Sequence, residues 1–187
     1  VTVDFATSEG TAKEIVDYIA QNGTVTFEPG QTSRIITIPV VDDSVYEDAE
    51  SMYVDLTNAV NAEIADAQGE GRILDESDKP SIKISDADAV EGDYAVFNIQ
   101  LSNPSEEDIT VKLTPKVGTA TEADYTPEVE VLINGTWTLV EEAVIPAGET
   151  ELPARVKTTQ DDIDEPVEKF TLEVEVINGE TTNTVVE

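Results

Sequence analysis

The sequence predicts an all-β chain folded as two tandem antiparallel β-sandwiches. Three observations carry this. Apolar and polar residues alternate through most of the chain, turn residues interrupt the alternation at short intervals, and the second half repeats the first. A period of two marks half-buried strands, and short strands separated by turns fit a sandwich. A length of 187 residues allows one large domain or two small ones. The repeat decides for two.

In chain order, Val1, Val3 and Phe5 open the alternation. Thr11 to Ile19 has no sustained helical period and allows at most a short helical turn. Val25 and Phe27 follow, then Ile36, Ile38 and Val40, then Met52, Val54 and Leu56. The second half gives Ile82 and Ile84; Phe97, Ile99 and Leu101; Ile109, Val111 and Leu113; Val129, Val131 and Ile133; and Phe170 to Val176. Asn22-Gly23, Pro29-Gly30, Asn134-Gly135, Ala147-Gly148 and Asn178-Gly179 supply the turns. Two of these open Asn-x-Thr sequons. Because Asn-Gly is a hairpin turn in its own right, both are read as turns and not as glycan acceptors.

The halves match at several motifs. Gly10-Thr11-Ala12 with Asp17-Tyr18 answers Gly118-Thr119-Ala120 with Asp124-Tyr125. Asp42-Asp43, Glu47 and Glu50 answer Asp161-Asp162, Glu165 and Glu168. The offset grows from 107 residues (Asp17 to Asp124) to 118 (Glu50 to Glu168). The second copy therefore holds an insertion near 129–137, read as an elongated hairpin against which Trp137 packs. The expected domains are 1–78 and 79–187, joined by a stiff acidic hinge from Asp75 to Lys79 that ends at Pro80. The first copy has no counterpart of the strand pair Ser81 to Leu101, and the second has none of Glu63 to Leu74. Each sandwich is thus expected to lack edge strands, through ragged fragment ends or through pairing with a neighbouring chain.

The chain carries 41 acidic and 10 basic residues, a net charge of −31. That excludes nucleic acid and anionic membrane surfaces as partners, since both need basic patches. No apolar run of about 18 residues is present to cross a bilayer. Without cysteine or histidine there is no disulfide, no thiolate metal site and no Ser–His or Cys–His catalysis. High charge with few aromatics is also the composition of disorder, but the regular alternation argues for packed strands.

The acids themselves suggest a metal site. Loops at one end of a sandwich gather residues distant in sequence. In the first copy these are Asp17, Asp42, Asp43, Glu47 and Glu50, joined by Asp75, Glu76 and Asp78 from the hinge. In the second they are Glu91, Asp124, Asp161, Asp162, Asp164, Glu165 and Glu168. Carboxylates about 4 Å apart repel by roughly 4 kcal/mol at an effective dielectric near 20. Ca2+ takes 6–8 oxygen ligands in flexible geometry, which this inventory supplies better than Mg2+ or Zn2+ could use it. A glycosidase would need paired carboxyls in an aromatic-lined cleft. Ten aromatic residues in all, five of them tyrosine and one tryptophan, make that improbable, so no enzyme is expected.

These motifs together resemble the Calx-beta domain: Gly-Thr-Ala, then Asp-Tyr, then Gly23 to Thr32, then Ile38 to Asp43 with Glu47 and Glu50. The resemblance implies an immunoglobulin-like sandwich binding calcium at one end. By matching position its ligands would be Asp17, Asp42, Asp43, Glu47, Glu50, Asp75 and Asp78 in the first domain. In the second they would be Glu91, Asp124, Asp161, Asp162, Glu165 and Glu168. The first copy has no counterpart of Glu91, and Asp162 to Glu165 is one residue shorter than Asp43 to Glu47. The tandem, acidic style is also similar to RTX-type bacterial surface adhesins. That likeness implies an extracellular, type I-secreted strut in biofilm adhesion, stiffened by Ca2+, with adjacent repeats as neighbours and the adhesive ligand bound elsewhere. The alternatives are a Ca2+-sensing pair of the sodium–calcium exchanger type and a carbohydrate-binding module using Trp137 or Tyr125.

Overall fold

The structure is a computed structural model and describes residues 1–163 and 166–187. Among the described residues it holds thirteen strands and no helix. The all-β antiparallel class is the predicted one. Two compact units divide the chain: Val1–Asp43 with Glu47–Asp75, and Ser44–Tyr46 with Glu76–Glu187.

The first unit contains β1 (Thr2–Glu9), β2 (Asn22–Thr26), β3 (Glu50–Val60) and β4 (Gln68–Ile73). They form one antiparallel sheet in the order β2-β1-β3-β4. Register places Phe5 opposite Leu56 and Thr7 opposite Val54, so one face is apolar. The other face is polar. There Asp4 accepts from Thr24 Oγ1 at 2.6 Å and Asn58 Nδ2 at 3.0 Å, and Asp55 from Ser8 Oγ at 2.5 Å and Gln68 Nε2 at 2.7 Å. Against the apolar face lie Tyr18, Ala12, Ala20 and Ile38, around Met52.

The alternation at Ile36, Ile38 and Val40 predicted a strand that the structure does not form. Only Val40 makes a single bridge, to Tyr18. A strand exists through ladder partners as well as side-chain alternation, and residues 33–38 have no partner strand among the described residues. The segment Thr11 to Ile19 holds one turn, closed by Asp17 N–H donating to the Lys13 carbonyl at 2.9 Å.

The second unit is a two-layer sandwich. One layer comprises β7 (Ile109–Val117), β10 (Glu142–Ile145), β12 (Phe170–Asn178) and β13 (Val185–Val186), ordered β10-β7-β12-β13. The other comprises β5 (Ile82–Ile84), β6 (Tyr94–Leu101), β8 (Tyr125–Ile133), β9 (Thr136–Val140) and β11 (Glu151–Thr158), ordered β5-β6-β11-β8-β9. Ile99, Ile109, Val111, Val131, Ile145, Ala154, Val156 and Val174 are all fully buried between the layers. The short β13 takes beside β12 the place β4 takes beside β3, where the sequence suggested no strand. Asn134 (φ 50°) and Gly135 (φ 77°) turn β8 into β9, as a two-residue hairpin with both central residues left-handed requires. Trp137 stands on β9 with the Arg155 guanidinium 4.3 Å above its ring. Arg155 also covers Tyr94 at 3.8 Å and donates to Glu130 Oε2 at 2.6 Å. Tyr125 is buried and stacks on Phe170 at 4.5 Å. Both aromatics named for a carbohydrate site are thus engaged in packing.

Candidate metal centre

The Gly-Thr-Ala motif is a backbone clamp, built the same way in both units. In the first, Ala12 N–H donates to the Ser51 carbonyl at 3.0 Å and Ser51 N–H to Thr11 Oγ1 at 2.9 Å. A Cβ on Gly10 would stand 2.5 Å from the Ser51 oxygen, so only glycine fits there. In the second, Ala120 N–H donates to the Lys169 carbonyl at 2.9 Å and Lys169 N–H to Thr119 Oγ1 at 2.8 Å. The Lys169 oxygen crowds Gly118 even more tightly. Each clamp fixes the chain one residue after an acid, Glu50 or Glu168.

The loop after each clamp presents an aspartate. Lys13 N–H donates to Asp17 Oδ2 at 2.5 Å, and Thr121 N–H to Asp124 Oδ2 at 2.6 Å, joined by Thr121 Oγ1 at 2.9 Å. The Asp17 carbonyl accepts from Val41 N–H at 2.9 Å, and that of Asp124 from Thr159 N–H at 2.8 Å. The next residue in each case, Tyr18 or Tyr125, is buried and anchors the loop.

In the first unit the result is a convergence of acids. Asp17, Glu47 and Glu50 each bring a carboxylate oxygen within 4.8 Å of the others. Asp17 is only 5% exposed; Glu47 and Glu50 are half-buried. At that spacing each pair of charges repels by roughly 3–4 kcal/mol for an effective dielectric near 20. The donor set is all oxygen, which suits a hard cation. Asp75 joins the same loop, accepting from Glu47 N–H at 3.0 Å. Asp42 and Asp43 are exposed and stand outside the three-acid group. Asp78 lies in the second unit, where its carbonyl accepts from Asn103 Nδ2.

In the second unit the equivalent pair also meets. Asp124 is held below the usual carboxylate range, chiefly by the Thr121 N–H, then by the Thr121 hydroxyl, with the Glu168 carboxyl also hydrogen-bonded to it. Glu91 lies beside Gln160, whose Nε2 is 3.4 Å from Glu91 Oε2 and donates to the Asp161 carbonyl at 2.8 Å. Asp161 Oδ1 accepts from Ile163 N–H at 2.7 Å, an aspartate turn. Asp162 is exposed. Asp164 and Glu165 lie outside the described residues. Sequence reasoning treated Gly-Thr-Ala as a marker of the repeat only. Its part in the site could have been found by noting that glycine, a hydroxyl and an acid recur at fixed order in both halves.

The family model of the Calx-beta domain matches residues 1–77 and 138–187. Mouse sodium/calcium exchanger 1 is 43% identical over 58 residues, which are 31% of this chain and 6% of that protein. Rat sodium/calcium exchanger 2 is 39% identical over 67 residues, 36% of this chain and 7% of the exchanger. The matched stretch is therefore a small part of the length of those relatives. A crystal structure of the calcium binding domain CBD12 of CALX1.1 aligns over 97% of this chain and 69% of its own, at 21% identity and a TM-score of 0.39. With its motifs built alike in two β units and the family match covering most of its length, the chain belongs to the Calx-beta domain family.

Proposed function

We propose that this chain binds Ca2+ through the carboxylates gathered after the Gly-Thr-Ala clamps and acts as a Ca2+-responsive module of a larger protein. The observation that carries the reading is the approach of Asp17, Glu47 and Glu50 to within 4.8 Å around a buried aspartate. Asp75, Asp42 and Asp43 are the further ligands proposed for the first unit, with Asp78 from the hinge. For the second unit they are Asp124 and Glu168 with Glu91, Asp161, Asp162, Asp164 and Glu165. A bound Ca2+ supplies the positive charge that cancels the mutual repulsion of these acids. Binding to the folded state also stabilises it by mass action.

The likeness to sodium/calcium exchangers supports a regulatory role over a purely structural one. A sensor binds at about 10⁻⁷–10⁻⁵ M and an extracellular strut at about 10⁻⁴–10⁻³ M. The second reading, an extracellular adhesin strut between adjacent repeats, rests on the net charge of −31. Self-repulsion of that size favours a chain that stays unfolded until it meets external Ca2+. Isothermal calorimetry with Ca2+ separates the two by affinity. Asp17→Asn with Glu50→Gln should abolish the first unit's binding heat. A wild-type chain with no binding heat up to millimolar Ca2+ sinks both readings.

A further inference from the structure

The two units share one layer: β2-β1-β3-β4 in the first answers β10-β7-β12-β13 in the second. In the second unit a five-stranded sheet covers that layer, with β11 between β6 and β8. The repeat aligns β11 with residues 33–40, setting Ala154 against Ile36 and Val156 against Ile38. Ala154 and Val156 are fully buried, whereas Ile36 and Ile38 are half-buried and Ile35 is 92% exposed. One side of the segment is held much as β8 holds β11. Ile19 N–H donates to the Pro39 carbonyl and Val41 N–H to that of Asp17, both at 2.9 Å. Along the β6 side, no strand pairs with residues 33–38 among the described residues.

The facing layer is open to match. Val3, Phe5, Val54 and Leu56 take the positions of Val111, Leu113, Leu172 and Val174. The latter four are 5% exposed or less, and the former four are all half-buried. A groove lined by Thr24, Val25, Thr26, Ser33, Arg34 and Ile35 opens between β2 and the segment.

We infer that the first unit is a strand acceptor: residues 33–40 take up an antiparallel extended segment with the chemistry of β6, whose alternate apolar side chains close the open layer. The second unit supplies the template. There β6 pairs β11 from Gln100 opposite Glu151 to Tyr94 opposite Lys157, and Ala95, Phe97, Ile99 and Leu101 enter the core. One docked strand would satisfy the unpaired backbone edge and cover the apolar face together. Main-chain hydrogen bonds supply the affinity and alternate side chains the selectivity.

The test adds a synthetic peptide of residues 93–102 to the whole chain and follows hydrogen exchange. Saturable binding is expected, with the amides of 34–38 slowing by about tenfold or more. The first unit's melting should rise while the second unit's stays in place. A peptide carrying Phe97→Asp and Ile99→Asp should leave exchange unchanged. Four results overturn the inference: no protection, protection elsewhere only, equal binding of both peptides, or self-association through 33–40 that the peptide does not displace.

Discussion

Ile15 stands at φ 76° with its side chain 75% exposed. Its N–H donates to the Tyr18 carbonyl at 2.8 Å, which holds the loop in that shape. A β-branched residue in the left-handed region costs about 1–2 kcal/mol, and this one recovers little by burial. Asn visits that region readily. Ile15→Asn should therefore stabilise the first unit by about 1 kcal/mol and raise its melting temperature by about 4 °C or more. A lower melting temperature would show that the Ile15 side chain supports the loop after all. Asp4 and Asp55 make a second case. The pKa of Asp4 is lowered by the Thr24 hydroxyl and then by Asn58, and that of Asp55 by Ser8 and then Gln68. A carboxyl whose folded pKa is depressed adds stability above its unfolded pKa, near 3.8 here. That stability is lost as pH falls through the lower folded value. Thr24→Val should move the acid-unfolding midpoint of the first unit upward, with little change at neutral pH beyond the lost hydrogen bond. Circular dichroism during an acid titration reads it directly.

At the scale of elements, the clamps are the parts on which the site depends. Gly118→Ala would drive a Cβ into the Lys169 carbonyl, and the backbone must shift to admit it. The expected cost is about 2–3 kcal/mol. If the clamp positions Glu168, Ca2+ affinity of the second unit should fall as well. Thr119→Val, which removes only the acceptor for Lys169 N–H, should show the same direction with a smaller effect. Strands were legible in the sequence wherever alternation coincided with an available partner, as along β6, β7, β8 and β12. Residues 33–40 alternate just as clearly yet form no ladder, because periodicity reports which face a side chain takes and not what pairs with its backbone. The site was legible in a similar way. The repeat pointed to Asp17 with Glu50 and Asp124 with Glu168, and these pairs do meet. Asp42 and Asp43, the most conspicuous acids by eye, lie exposed, because adjacency in sequence turns neighbouring side chains to opposite sides. Proximity here comes from carbonyls and amides of the clamp, which no side-chain pattern reveals.

Across the whole molecule, the two units differ in how much they bury. The second packs a continuous two-layer core, whereas in the first only Ala12, Tyr18 and Met52 form the fully buried cluster. Calorimetric melting should show two transitions, the lower belonging to the first unit. Added salt should raise both, since screening relaxes the self-repulsion of a chain at −31. Coincident transitions would mean that the units unfold cooperatively.

The small cluster in the first unit also contains the molecule's sole sulfur atom, that of Met52, for the sequence has one methionine and no cysteine. It is 5% exposed and lies close against Gly71. Peroxide can convert it to the sulfoxide only when the cluster opens. A single sixteen-dalton mass increment, timed by mass spectrometry, then becomes a clock for the breathing of one half of the protein while the other half stays silent.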